Sequence, residues 1–354
     1  MSMTILIMLL CVRGYARSWT FHGGGILCFF RKAVYHQQVR YKSDGKKNLM
    51  QNILIMGSGA VGGFYGGQLA RIAGLNVTFV ARGAHLRALQ ARGLRITGRT
   101  RLHLHPVHAV EDLSALDTAP DLVIVAVKSY DTPEAIRLLK PAVSTRTQIL
   151  TIQNGLENYE LLCDEFGSDR VIRGFCKIGA ELTAPGVIDY RGLSSVVFGE
   201  EDGSQSNRVM QLQNIMERAG ISVGVSREIR REAWLKFLWN GIFNMITGLT
   251  GATTDMIFDD EDAYAMAWQL FYEMQAVAGA EGVRITDKDG ADVIEGTRAF
   301  GAFKTSTWQD RHKGKPLEYD AFCGYIVRKA AMYKLVAPVN QALFALYGLL
   351  EKSE

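Results

Sequence analysis

From residue 53 onward the chain alternates short, solid apolar runs with amphipathic stretches. Ile53-Leu54-Ile55-Met56 is a solid run, the mark of a strand buried on both faces. A glycine turn follows it, and then a helical stretch through about Ile72. Asn76–Ala81 (NVTFVA) predicts a second strand, a helical stretch runs through Ala91, and Leu94–Val107 predicts a hairpin. Asp121–Val127 (DLVIVAV) and Gln148–Ile152 predict further strands, with a helix between them near Pro133–Leu139. Residues 170–200 are strand-rich. This alternation predicts a doubly wound α/β sheet. After about Ser226 helical patterns replace it: Arg230–Leu249, Glu261–Glu281, Asp289–Phe303, Leu317–Leu335 and a last helix from Pro338. The expected organisation is a sheet domain over 50–226 and an all-helical domain over 227–354.

Residues 1–49 lack either period. The segment is basic and nearly acid-free, which admits a mitochondrial presequence. A secretory signal would carry positive charge before its apolar core, and none precedes Arg13. The favoured reading is an artefact of start assignment, with Met50 as the initiator two residues before the first strand. On that reading the protein is cytoplasmic. The longest apolar run, Ile5–Val12, is too short to span a bilayer as a helix, so no membrane partner is expected.

Charge changes the picture once it is divided. Residues 1–50 hold eight of the 40 basic side chains but one of the 36 acidic ones, so the remainder is net negative. That removes the electrostatic argument for a nucleic-acid partner. The five cysteines (Cys11, Cys28, Cys163, Cys176, Cys323) are scattered, with no spacing for a zinc site or disulfide framework. His103 and His105 alternate along a predicted strand near His108, with no third ligand marked, and read as exposed hairpin residues. No metal is expected.

Chemistry concentrates in two places. The first is the turn Gly57-Ser58-Gly59-Ala60-Val61-Gly62, continued by Gly66 at G-x-G-x-x-G-x-x-x-G spacing between a strand and a helix. Gly57 suits a tight turn, Gly59 a close approach to pyrophosphate, and Gly62 close packing of helix on strand; the helix N-terminus adds free N–H groups. This is a Rossmann-type dinucleotide signature. An NAD site places Asp or Glu at the end of the second strand, but here Arg82 stands there and no acid occurs between Asp44 and Glu111. A guanidinium suits a 2′-phosphate, so the expected cofactor is NADP, with Lys128 adding positive charge nearby.

The second place is LKFLWNGIFNMI, Leu235–Ile246. Its only polar side chains, Lys236, Asn240 and Asn244, fall at i, i+4 and i+8 and form one narrow stripe on an otherwise apolar helix. A solvated face would be wider and more charged, so the stripe is expected to enter a cleft. Reducing a ketone with a nicotinamide requires a proton or positive charge at the developing alkoxide. A lysine supplies either, with asparagines holding it in register.

The glycine turn, Gln153-Asn154-Gly155, the tract Pro185–Gly199, Trp234-x-Lys236-x3-Asn240-x3-Asn244 and the Ser306…Glu318-Tyr319-Asp320 segment together resemble the ketopantoate reductase family. The resemblance spans about residues 50–350, and the Lys/Asn/Asn helix is its most specific part. It implies a Rossmann domain, a helical domain and an active site in the cleft between them. It also implies a small-molecule 2-oxo acid substrate, 2-dehydropantoate, reduced to (R)-pantoate with NADPH on the route to pantothenate and coenzyme A. By the same resemblance Lys236 is the general acid. Glu318 contacts the substrate hydroxyl and helps position the lysine. Asn240, Asn244 and Ser306 contact substrate, and Asn154 lies between substrate and nicotinamide. One departure stands out: the family carries another asparagine about ten residues past Asn244, where this chain reads Thr253-Thr254-Asp255. A reductase of another 2-oxo acid and a non-catalytic NADPH-binding sensor therefore stay open, as do monomer and homodimer.

Overall fold

The computed structural model describes residues 50–353; the readings of residues 1–49 lie outside them. Among these residues no helix is long and apolar enough to cross a membrane.

The first apolar run forms β1 (Asn52–Met56), followed by α1 (Ala60–Leu69), β2 (Asn76–Val80) and α2 (Gly83–Arg92). The predicted hairpin is β3 (Leu94–Gly98) with β4 (Leu102–Leu104), and β5 (His108–Val110) returns beside β2. β6 (Leu122–Val125), α3 (Thr132–Leu139), β7 (Gln148–Thr151) and α4 (Glu157–Phe166) complete the alternation. A long antiparallel pair, β8 (Val171–Ala184) and β9 (Val187–Gly199), fills the strand-rich tract, and α5 (Asn207–Arg218) and β10 (Ser222–Val225) follow it. Sheet order is β4-β3-β9-β8-β7-β6-β1-β2-β5, with β10 on β9.

β1, β2, β6, β7 and the start of β8 run parallel. Ile53, Ile55, Ile124 and Leu150 face one core beneath α1 and α5, while Leu54, Met56, Val123 and Ile149 face a second beneath α3 and α4. Burial on both faces explains why Ile53–Met56 and β6 read as unbroken apolar runs. The sequence pattern offered no expectation for α4, α5 or β10.

Beyond Ser226 every regular element is helical: α6 (Ile229–Trp239), a π-helical turn over Asn240–Asn244, α7 (Met245–Thr250), α8 (Thr254–Asp259), α9 (Glu261–Ala280), α10 (Asp287–Thr297), α11 (Ser306–Arg311), α12 (Cys323–Tyr333) and α13 (Pro338–Ser353). A third core holds them, in which Trp234, Phe237 and Phe243 meet Phe271, Met274, Phe322 and Tyr325. The predicted helix over 317–335 starts only at Cys323, because Leu317–Phe322 carries a 3₁₀ turn instead. The sheet and these helices form one compact unit.

Candidate active site

Three neighbouring parallel strands, β1, β6 and β7, end at one edge of the sheet and deliver Gly57, Lys128 and Asn154 there, while β2 delivers Arg82. In an open parallel sheet that carboxyl edge is where ligands bind, at the strand where the order reverses, here β1.

The glycines of the turn differ in what confines them. Gly57 adopts φ +97°, and a Cβ there would lie 2.6 Å from the Val127 nitrogen. A Cβ on Gly62 would lie 2.1 Å from the Gly57 carbonyl oxygen, so only glycine lets α1 sit against the turn. Around Gly59 nothing lies within 4 Å of that position. The helix begins without a side-chain cap, and the Ser58 hydroxyl is buried without a partner. An uncapped helix start facing open space fits a bound phosphate, so the turn fits a dinucleotide.

Arg82, exposed just past β2, holds Asp131 at 2.8 Å. Lys128, the second cation expected near the cofactor, lies just past β6. Its ammonium lies 2.7 Å from Asp310 and 2.9 Å from Glu318, which neutralise it. Burial pulls its pKa down, but Glu318 and Asp310 overcome this and hold it above the ordinary lysine value. Glu318 lies on the Lys128 side of the site. Its carboxylate accepts from Lys128 Nζ and from the Ser129 N–H, each at 2.9 Å. Burial raises its pKa; Lys128 and the Ser129 N–H outweigh that and leave it below the ordinary glutamate value.

The predicted stripe holds together over its first step. Lys236 Nζ donates to Asn240 Oδ1 at 2.8 Å, and Asn240 Nδ2 donates to Asn154 Oδ1 at 3.2 Å, joining the helix to the end of β7. Lys236, Asn240, Asn154 and Gly155 line one cavity with Phe175 and Phe237. Burial drives the Lys236 ammonium down to about 8; the Cys176 thiol opposes the fall and Lys177 adds to it. Asn244 closes the π-helical turn that begins at Asn240. Its Nδ2 donates to Ser306 Oγ at 3.3 Å, at the start of α11. Thr253 and Thr254, at the departure from the family pattern, both have partners within the protein. Buried Thr254 donates to the Gly301 carbonyl at 2.6 Å, and Thr253 bonds Asp255.

Residues not anticipated from sequence support Asn154. Asn158 Nδ2 donates to the Asn154 carbonyl at 2.6 Å and its Oδ1 accepts from Thr132, while Gln153 Nε2 donates to Thr132 Oγ1 at 2.8 Å. Their only sequence signal is proximity to Gln153-Asn154-Gly155. His103 bonds the Arg92 carbonyl and His108 bonds Thr78.

A family model described as Ketopantoate reductase PanE/ApbA matches residues 53–203, and one described as Ketopantoate reductase PanE/ApbA C terminal matches residues 228–351. A 2-dehydropantoate 2-reductase of Mesorhizobium japonicum is 33% identical, over 83% of this chain and 96% of that protein. One from Pyrococcus horikoshii is 31% identical, over 83% and 95%. A crystal structure of a PanE/ApbA family ketopantoate reductase from Ralstonia eutropha JMP134 superposes with a TM-score of 0.79 at 32% identity, covering 86% of this chain and 99% of that one.

Proposed function

The chain belongs to the ketopantoate reductase family, and from that premise we propose that it reduces 2-dehydropantoate to (R)-pantoate with NADPH, using Lys236 as the general acid. The observation that carries this reading is the Lys236–Asn240–Asn154 chain of hydrogen bonds, which sets a lysine of lowered pKa beside the nucleotide edge of the sheet. The turn from Gly57 to Gly62 would hold the pyrophosphate, Arg82 the 2′-phosphate, and Asn154 the nicotinamide end. Bound NADPH supplies the hydride. Lys236 holds a proton at Nζ for the ketone oxygen, and Asn240 fixes the direction of that N–H. A proton donor with a pKa near the working pH gives it up more readily than an ordinary lysine would. Asn244 and Ser306, already bonded to each other, would contact the substrate beyond the carbonyl. Glu318 would meet its hydroxyl while held by Lys128. We divide the chain near residue 226, ahead of the helix that carries Lys236.

The test is NADPH oxidation by the chain from Met50, with 2-dehydropantoate and a panel of other 2-oxo acids. Preference for another acid would keep Lys236 and change the substrate. One observation favours keeping that second reading in the panel: the Thr254 hydroxyl is engaged by backbone, where the family pattern has a substrate-contacting asparagine. NADPH binding without turnover on any acid would leave a sensor.

Two further outcomes are expected. As pH rises through about 8, kcat/KM should fall as Lys236 loses its proton, because this parameter reports the free enzyme. A limb that appears only at the ordinary lysine value of about 10.4 would remove the buried-acid account. Arg82→Ala should weaken NADPH roughly tenfold or more while leaving NADH nearly unchanged, since a charge-assisted bond to phosphate is lost. An unchanged ratio of the two affinities would assign the 2′-phosphate to other groups.

A further inference from the structure

We infer that His85 is a positioning residue for the dinucleotide turn: its ring locks the Ser58 carbonyl and so fixes the direction of the N–H groups that follow. The inference rests on the reading of that turn as a dinucleotide site. His85 lies in the first turn of α2, and its two ring nitrogens meet two different elements. Nδ1 accepts from the Gly186 N–H at 3.0 Å, in the tight turn between β8 and β9. An accepting Nδ1 puts the ring proton on Nε2, which donates to the Ser58 carbonyl at 2.8 Å. The backbone thus selects one neutral tautomer.

Ser58 sits between Gly57 and Gly59, and its other backbone group is also tied, with its N–H donating to the Val80 carbonyl at 3.0 Å at the end of β2. With both ends of Ser58 fixed, the start of α1 has one orientation available. Gly57 and Gly59 give the turn no stiffness of its own, so the rigidity comes from these two bonds. The Gly186 turn is anchored in its own right, because its carbonyl accepts from the Arg95 N–H at 2.8 Å. His85 therefore braces the phosphate turn against the β8/β9 hairpin from behind, and the open space at Gly59 stays free.

Protonation would remove the brace. A second ring N–H at Nδ1 would point at the Gly186 N–H, donor against donor. The charged side chains on the surrounding elements are otherwise engaged or point outward. Just ahead of α2, Arg82 holds Asp131, and on α2 Arg87 and Arg92 are exposed. On the hairpin, Glu181 and Asp189 hold Arg191, and Glu181 also holds Lys313. The glycine turn contributes no titratable group. Burial lowers the ring's pKa and the Ser58 carbonyl partly opposes this, so the ring is neutral at neutral pH.

Calorimetric titration of NADP⁺ into the full chain and its His85→Ala and His85→Gln variants tests this. Near neutral pH, His85→Ala should weaken NADP⁺ about tenfold, the order expected for losing a bond that orients several others. It should raise KM for NADPH far more than it lowers kcat. Glutamine keeps one donor and one acceptor at similar separation and takes no proton. His85→Gln should therefore stay within about threefold of the parent at neutral pH. Below about pH 6.5 it should lose less affinity than the parent does. The 2′-phosphate titrates equally in both, so their difference isolates the ring. Parent-like affinity in His85→Ala, or identical pH curves for parent and His85→Gln, would overturn the inference. If the alanine variant does not fold, the glutamine comparison decides alone. A parent chain that binds no NADP⁺ would instead remove the nucleotide reading itself.

Discussion

Lys236→Ala is expected to lower kcat by roughly a thousandfold, within the range that a positioned general acid contributes. NADPH affinity should change little. The side-chain hydrogen bond of Lys236 goes to Asn240, and among the described residues Lys236 forms no ion pair whose loss would leave a buried charge. The Asn240 Oδ1 left behind lines the cavity, where water can reach it. Single-turnover reduction with prebound NADPH, set beside NADPH titration, separates the two quantities. Lys236→Arg divides the role further. Arginine keeps the positive charge but holds its proton at any working pH, so it should restore charge stabilisation without proton delivery. Recovery to near parental rate would assign the catalysis to charge alone, and parental activity in Lys236→Ala would remove the residue from the mechanism. The limb near pH 8 should vanish in both variants.

What the sequence made legible, and what it hid, follows from the range of each interaction. β1 and β6 announced themselves because burial on both faces leaves almost only apolar residues to read. The glycine turn was legible because each glycine answers a local steric demand, such as the contact a Cβ on Gly62 would make with the Gly57 carbonyl. Lys236 and Asn240 were legible as a pair because i and i+4 are neighbours on any helix. The π turn that carries Asn244 was not legible, because the packing around it belongs to distant helices. Gly241, inside that turn, sits so close to Met274 of α9 that a Cβ would come within 2.5 Å of the Met274 methyl. Nor could spacing pair Glu318 with Lys128, since 190 residues separate them and nothing local marks either. The resemblance marked Glu318 as a contact of the substrate hydroxyl; its bond to Lys128 shows only in the fold.

That pairing carries the second large effect. Lys128→Met is expected to destabilise the protein by about 2 kcal/mol. Removing one partner of a fully buried pair costs about 3–5 kcal/mol, and here the lysine is 37% exposed, which tempers the loss through solvent screening. The penalty falls on Glu318, which is 6% exposed and keeps only the Ser129 N–H. Glu318→Gln alone should cost less, because Lys128 retains Asp310 at 2.7 Å. The double variant should be more stable than the sum of the singles predicts, with a coupling of about 1 kcal/mol, measurable by urea unfolding. Strict additivity would mean that the two groups do not depend on each other. The pH dependence supplies an independent sign. In the parent, Glu318 has a lowered pKa, so its contribution is present above the unfolded glutamate value and is lost as acid protonates the folded protein. Without Lys128, burial is opposed only by the Ser129 N–H and raises that pKa. The folded state then takes up a proton before the unfolded state does, and the carboxyl no longer needs a cation. The stability gap between Lys128→Met and the parent should therefore narrow as pH falls from neutral toward the glutamate value. A gap that stayed constant over that range would place the loss in the lysine stem's packing or in Asp310 instead of in Glu318.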